Sequence, residues 1–173
     1  VGAILGCRDG VLLAVAADAG AAVERIALPD GLTAPRVWAN REGRPTAAGL
    51  SPDGSIVLLD TRERTAATIA APRPLLAVTA VDDASEHVLG LTADGRVSVI
   101  DGATGAELAL TEPLVAASLA AGWTPTLIAD DRRAYLNGIT ERVLFEIDFA
   151  DAGRIARTFT TTDEPAFVAE TGR

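Results

Sequence analysis

The stretch Gly90-Leu91-Thr92-Ala93-Asp94-Gly95-Arg96-Val97-Ser98-Val99-Ile100-Asp101 decides the reading of this chain. Apolar residues alternate on both sides of Asp94-Gly95. That pattern is a strand, a tight turn and a returning strand, and the Asp-Gly pair suits a type I′ turn. The same phrase stands 41 residues earlier as Gly49-Leu50-Ser51-Pro52-Asp53-Gly54-Ser55-Ile56-Val57-Leu58-Leu59-Asp60. A period of about 40 residues with several strands per unit points to the blades of a β-propeller.

Working outward, four units emerge. In residues 1–28, Ile4 to Cys7 and Val11 to Val15 flank Asp9-Gly10, and Val23 to Leu28 adds a further strand. In residues 35–71 the strands are Arg36 to Asn40, Thr46 to Leu50, Ser55 to Asp60 and Thr65 to Ala70. In residues 75–115 they are Leu75 to Val81, Glu86 to Leu91, Arg96 to Asp101 and Ala106 to Leu110. Residues 123–160 are a looser copy, with Thr126 to Ala129, Arg133 to Leu136, Val143 to Asp148 and Ile155 to Phe159. The tail Glu164 to Glu170 reads as the first strand of another blade. Leu114 to Ala121 has helical propensity, but a link between blades reads better as strand plus loop.

The fold class is therefore all-β, a propeller of about four four-stranded blades. The whole chain, 1–173, is a single propeller domain or the C-terminal half of one. Two arrangements fit: a small closed ring of about four blades, or part of a ring of roughly seven or eight. Both ends fall inside a blade pattern, which favours the second. A half-ring would leave two apolar blade faces in need of remaining blades or a second chain.

Composition narrows the function classes. The net charge of -9 disfavours nucleic acid, because phosphate binding needs a basic face. No apolar run approaches the roughly 18 residues of a membrane span. All 15 basic residues are Arg, and there is no Met, as in a trimmed product or a segment of a longer chain. Cys7 is the only cysteine, so no internal disulfide can form. A lone cysteine acts first as a small buried apolar residue.

No catalytic constellation is visible. There is no Gly-x-Ser-x-Gly elbow and no Gly-rich phosphate loop before a helix. His87 is the only histidine, and a zinc site needs several converging ligands. Asp82-Asp83 and Asp130-Asp131 fall at turns, where Asp side chains bond to nearby backbone. Trp38 and Trp123 read as wedges between blades. Leu59-Asp60 and Ile100-Asp101 stand where WD40 repeats carry Trp-Asp, without the Trp. Asp101 to Ala109 matches the front of a quinoprotein blade phrase, without its docking Trp.

Several phrases resemble the AztD-type secreted zinc chaperones. They are Gly6-Cys7-Arg8-Asp9-Gly10-Val11, Thr92 to Arg96 with Ile100 to Gly105, Phe145-Glu146-Ile147-Asp148 ahead of Ala156 to Phe159, and Glu164-Pro165-Ala166-Phe167-Val168. The resemblance implies a non-enzymatic, secreted or periplasmic propeller. It would hand zinc to the solute-binding protein of a zinc ABC transporter. It makes zinc the implied ion, with His87 as the main metal candidate and Asp9 and Cys7 as further ones. That family uses histidine-rich ligation, and this chain has one histidine. The competing expectations are a propeller enzyme, lactonase or quinoprotein-like, and a protein-interaction scaffold.

Overall fold

The computed structural model describes residues 2–7, 10–17, 20–29 and 31–169. Its strands form four separate antiparallel sheets, as the repeat predicts. The first is β1 (Gly2–Cys7), β2 (Gly10–Ala17) and β3 (Gly20–Ala27). The second is β4 (Trp38–Ala39), β5 (Thr46–Leu50), β6 (Ile56–Asp60) and β7 (Thr65–Ile69). The third is β8 (Leu75–Ala80), β9 (His87–Thr92), β10 (Val97–Asp101) and β11 (Glu107–Leu110). One short helix follows, α1 (Ala116–Ala120). The fourth is β12 (Leu127–Ala129), β13 (Ala134–Gly138), β14 (Val143–Asp148) and β15 (Arg154–Thr160). In each sheet the strands lie side by side in chain order, the up-and-down order of propeller blades.

The turns differ from the expected type. Gly54 and Gly95 have φ of 89° and 83°, while Asp53 and Asp94 keep negative φ. Gly95 N–H donates to Thr92 O at 3.1 Å, and Thr92 N–H to Arg96 O at 2.9 Å. This is a type I turn closed by a glycine bulge, not a type I′ turn. The reason is local: only the glycine takes the left-handed position, and Pro52 already favours type I geometry in the sister turn.

Alternation explains the stacking. Along β9 and β10, Val88 and Ile100 join a cluster with Ala48 and Ile56 of the second sheet. Leu89, Leu91, Val97 and Val99 point the other way, into a cluster with Leu127, Leu136 and Ile147 of the fourth. Successive strand residues face opposite sides, so one hairpin fills two seams. A third cluster, with Val11, Leu13, Ile26 and Leu59, joins the first and second sheets. No apolar cluster joins the first sheet to the fourth among the described residues, so these four sheets do not close a ring. Ion pairs mark the outer rim of two seams. Glu24 of β3 meets Arg64 beside β7, and Arg73 meets Glu107 of β11.

Three expectations need correction. Residues 114–121 contain α1 rather than a strand. Its first amides are capped from outside: Ala117 and Ser118 N–H donate to Glu141 Oε1 at 3.0 and 3.1 Å. The first sheet has three strands among the described residues, as the reading of residues 1–28 predicts. Residues 164–169 form no strand. The two end faces are not both apolar. The first sheet exposes Leu5 and Val23, whereas the fourth carries an ion-pair network.

Candidate functional site

The strand ends form two rims. The β5–β6 and β9–β10 turns lie on one rim. The β8–β9 and β12–β13 turns lie on the other, with the turns that follow Asp60, Asp101 and Asp148.

His87 opens β9 on this second rim. Its Nδ1 is 2.6 Å from Asp83 Oδ2, and its backbone N–H donates to Asp83 Oδ1 at 2.9 Å. Its ring packs edge-on against Phe149, with centroids 5.5 Å apart. The side chain is 12% exposed. Burial pushes the Asp83 carboxyl up, but the His87 hydrogen bonds outweigh this and leave it below the usual range. Asp82 turns the other way, and its Oδ2 accepts Thr46 N–H of the second sheet at 3.1 Å. The acidic pair thus does turn and seam work, as its position predicts.

Cys7 ends β1, opposite Gly10, at the β1–β2 turn; β3 packs beside β7, the outer strand of the second sheet, so this turn stands with the β5–β6 turn on the first rim. It is a free, partly buried thiol. His87 and Cys7 therefore stand two sheets apart and at opposite strand ends. A six-residue strand alone spans about 20 Å. Asp9 lies outside the described residues. Among the described residues, no group of three or more His, Cys, Asp and Glu could hold a metal ion. Zinc takes three or four close ligands, so this part of the molecule does not fit a zinc-holding set.

A recurring device at the second rim is carried by aspartates at the ends of β6, β10 and β14. Asp60 Oδ1 accepts Arg62 and Glu63 N–H at 2.7 and 2.9 Å. Asp101 Oδ1 accepts Ala103 and Thr104 N–H at 2.8 and 2.9 Å. Asp148 Oδ1 accepts Asp151 N–H at 3.2 Å. These carboxylates shape the turn into each outer strand.

Sequence reasoning missed the far face of the fourth sheet. Tyr135, Glu146 and Arg157 are consecutive cross-strand partners on β13, β14 and β15. Glu146 and Asp148 are 3% and 8% exposed. Arg133 and Arg157 reach Glu146 at 3.4 and 2.8 Å, while Arg133 and Arg154 reach Asp148 at 3.0 and 3.3 Å. Tyr135 donates its hydroxyl proton to Asp130 Oδ2 at 2.9 Å. Burial first, then the Asp130 carboxylate, pushes the Tyr135 pKa up to about 12. The available signal was the strand alternation, which sets Tyr, Glu and Arg on one face.

A groove of about 490 Å³ separates the first and second sheets. Ile4, Leu13 and Val15 line one wall; Asn40, Arg44 and Arg62 stand on the other. With Glu42 beside Arg44 and Arg62 it offers apolar contact and mixed charge, with no nucleophile paired to a base. Trp38 packs in this seam as expected, its Nε1 buried without a partner. Trp123 is 41% exposed and is not a wedge.

No protein-family model matches the chain, and no curated protein does. Solved structures do. AztD from Citrobacter koseri in its apo form superposes with a TM-score of 0.72 at 16% identity, over 95% of this chain and 45% of that one. A second AztD structure from that organism gives 0.70 over 94% and 45%. BamB from Moraxella catarrhalis gives 0.55 at 17% identity, over 91% and 47%. The chain thus spans less than half the length of each of these structures. Its four sheets adopt an AztD-like β-propeller fold.

Proposed function

We propose that this chain belongs to a non-enzymatic, exported β-propeller that takes part in delivering zinc to the solute-binding protein of an ABC transporter. The observation that carries the reading is the AztD-like fold over 95% of the chain, with a TM-score of 0.72. The strand phrases that resemble the secreted zinc chaperones support it, from Gly6 to Val11 and from Glu164 to Val168. Zinc is the cargo in this reading. The described residues offer no ligand set for it, so these four sheets contribute shape and a docking surface rather than ion binding. His87 works with Asp83 and Phe149 to brace the second rim. No described helix is long and apolar enough to cross a membrane.

The test is titration calorimetry of the purified chain with the solute-binding protein of a zinc ABC transporter from the same organism, with and without zinc. Saturable binding that survives His87→Ala is expected. Absence of binding in both conditions would overturn the proposal. Turnover of a lactone, or of an alcohol with added quinone, would replace it with an enzymatic one.

A further inference from the structure

We propose that Arg41 anchors a binding site for a small organic acid, whose single carboxylate it holds at the second rim between the second and third sheets. Both sheets lie inside the chain, each with its four strands in place. Four observations carry this.

First, Arg41 stands where the repeat puts an apolar core residue. Gly49 and Gly90 hold the same place in the two copies of the repeated phrase. Trp38 opposes Gly49, and Val78 opposes Gly90. Three residues further along each inner strand come Arg41 and Val81. Val81 is fully buried in the seam between the third and fourth sheets. Arg41 is set at the seam one sheet earlier. Its backbone N–H donates to Ala80 O of the third sheet at 3.0 Å, beside the bridge from Asn40 to Ala80.

Second, its charge is buried without a counterpart. Arg41 is 6% exposed. Among the described residues, Glu146 and Asp148 are the other charged side chains buried to this degree, and each meets two arginines. Arg41 has no side-chain hydrogen bond or ion pair among the described residues. An unpaired buried charge is costly, so the position lacks an anion.

Third, the carboxylates nearest along the chain are engaged elsewhere. Asp82 and Asp83 follow Ala80 by two and three residues. Asp82 accepts Thr46 N–H, and both oxygens of Asp83 are taken by His87. Glu42, next to Arg41, lines the groove on the other side of the second sheet.

Fourth, the guanidinium is reached from solvent. The enclosed side-chain nitrogens that lack a partner are Trp38 Nε1 and Arg133 Nε, among the described residues. The nitrogens of Arg41 are not sealed in this way, so a narrow opening leads to them.

The chemistry selects the ligand. A guanidinium offers paired N–H donors in a planar fork that matches a carboxylate. It carries one positive charge, so a phosphate dianion would bring surplus negative charge into a chain of net charge -9. A halide has no second atom for the fork. The narrow opening suits a free acid of a few carbons. An acidic side chain of a folded partner would have to bring its backbone against the surrounding turns.

The test is a ¹H–¹⁵N spectrum of the arginine Nε–Hε groups of the whole chain at about pH 6.5, where a carboxylic acid is ionised. Sodium chloride is replaced stepwise by sodium acetate at constant ionic strength. One of the 15 arginine peaks should move and saturate, and it should be the peak missing from Arg41→Met and from Arg41→Lys. No movement, or movement without saturation, would overturn the proposal. In chloride alone, Arg41→Met should melt at a higher temperature than the unmodified chain, because an unpaired charge has been removed from a core position. Acetate should then raise the melting temperature of the unmodified chain more than that of Arg41→Met. A lower melting temperature for Arg41→Met in chloride, or failure to fold, would show that the guanidinium holds the seam together and would overturn the binding role. No arm involves zinc or a transporter protein, so failure here is distinct from failure of the proposed function.

Discussion

The third sheet and the first each carry an Asp-Gly pair between two strands, yet they meet different surroundings. In the third, Val88 and Leu89 are adjacent and both buried, one in each seam. In the first, Val11 and Leu13 are buried against the second sheet, while Leu5 on the far face is 54% exposed. A blade is a two-faced wedge, and its own fold buries neither face. The neighbours do that, so stability in this architecture rises from the end of the stack toward its middle. The fourth sheet ends the stack differently. Its far face pairs Glu146 and Asp148 with arginines beside the exposed ring of Phe159, so charge and apolar surface are mixed there.

The largest effect should come from the core of the third sheet. Leu89→Ala is expected to cost about 2–5 kcal/mol in urea unfolding, because Leu89 is fully buried between two sheets. A change on the uncovered face of the first sheet, Leu5→Ala, should stay within about 0.5 kcal/mol, since Leu5 is 54% exposed. A large loss at Leu5 would mean that its face is covered and would break the contrast.

Next in size is the cap on α1. Glu141→Gln is expected to cost about 1–3 kcal/mol by thermal melting, because Ser118 and two amides lose a charged acceptor. Burial raises the Glu141 pKa, but the bonds from Ser118 outweigh it, so the folded value lies below 4.5. The sign follows. A depressed carboxylate contributes its full stability above its unfolded value, and loses it as pH falls through the folded one. Melting temperature should therefore drop below about pH 4.5, and less steeply in Glu141→Gln.

The fourth sheet offers a spectroscopic reading. Tyr135 is the only tyrosine, so its absorbance titration is free of overlap. It should ionise near 12 in the folded chain, above the ordinary value of 10.0. A raised pKa means that its stabilisation is complete below the unfolded value and is lost as pH rises through the folded one. Ionisation near 10.0 would show that Tyr135 is not held by Asp130.

The smallest effect should be at the rim. Asp83→Asn keeps the shape of the side chain and weakens only its bonds to His87, so about 1 kcal/mol is expected. Zinc should not restore that loss.

Much of the fold was legible because a blade is a local object. Asp53-Gly54 and Asp94-Gly95 fix two hairpins, and the residues that flank them fix which side chains share a face. The turn type was less legible, since Asp-Gly serves both a type I′ turn and a glycine-bulged type I turn. Helix α1 showed only as propensity in residues 114–121, because its cap, Glu141, lies 25 residues beyond its first residue, Ala116. The candidate site was least legible. Cys7 and His87 resemble one ligand set in a sequence, but which rim each reaches depends on where its strand begins. Cys7 ends β1 and His87 begins β9, and that difference separates them.

The central claim is that neighbouring sheets bury one another's faces. A double-mutant cycle on Leu89 of the third sheet and Leu136 of the fourth tests it most directly, since both lie in the cluster between those sheets. The packing predicts that Leu89→Ala and Leu136→Ala interact by about 0.5–3 kcal/mol in urea unfolding. Losses that simply add, to within about 0.5 kcal/mol, would place the two leucines apart and contradict the stacked arrangement.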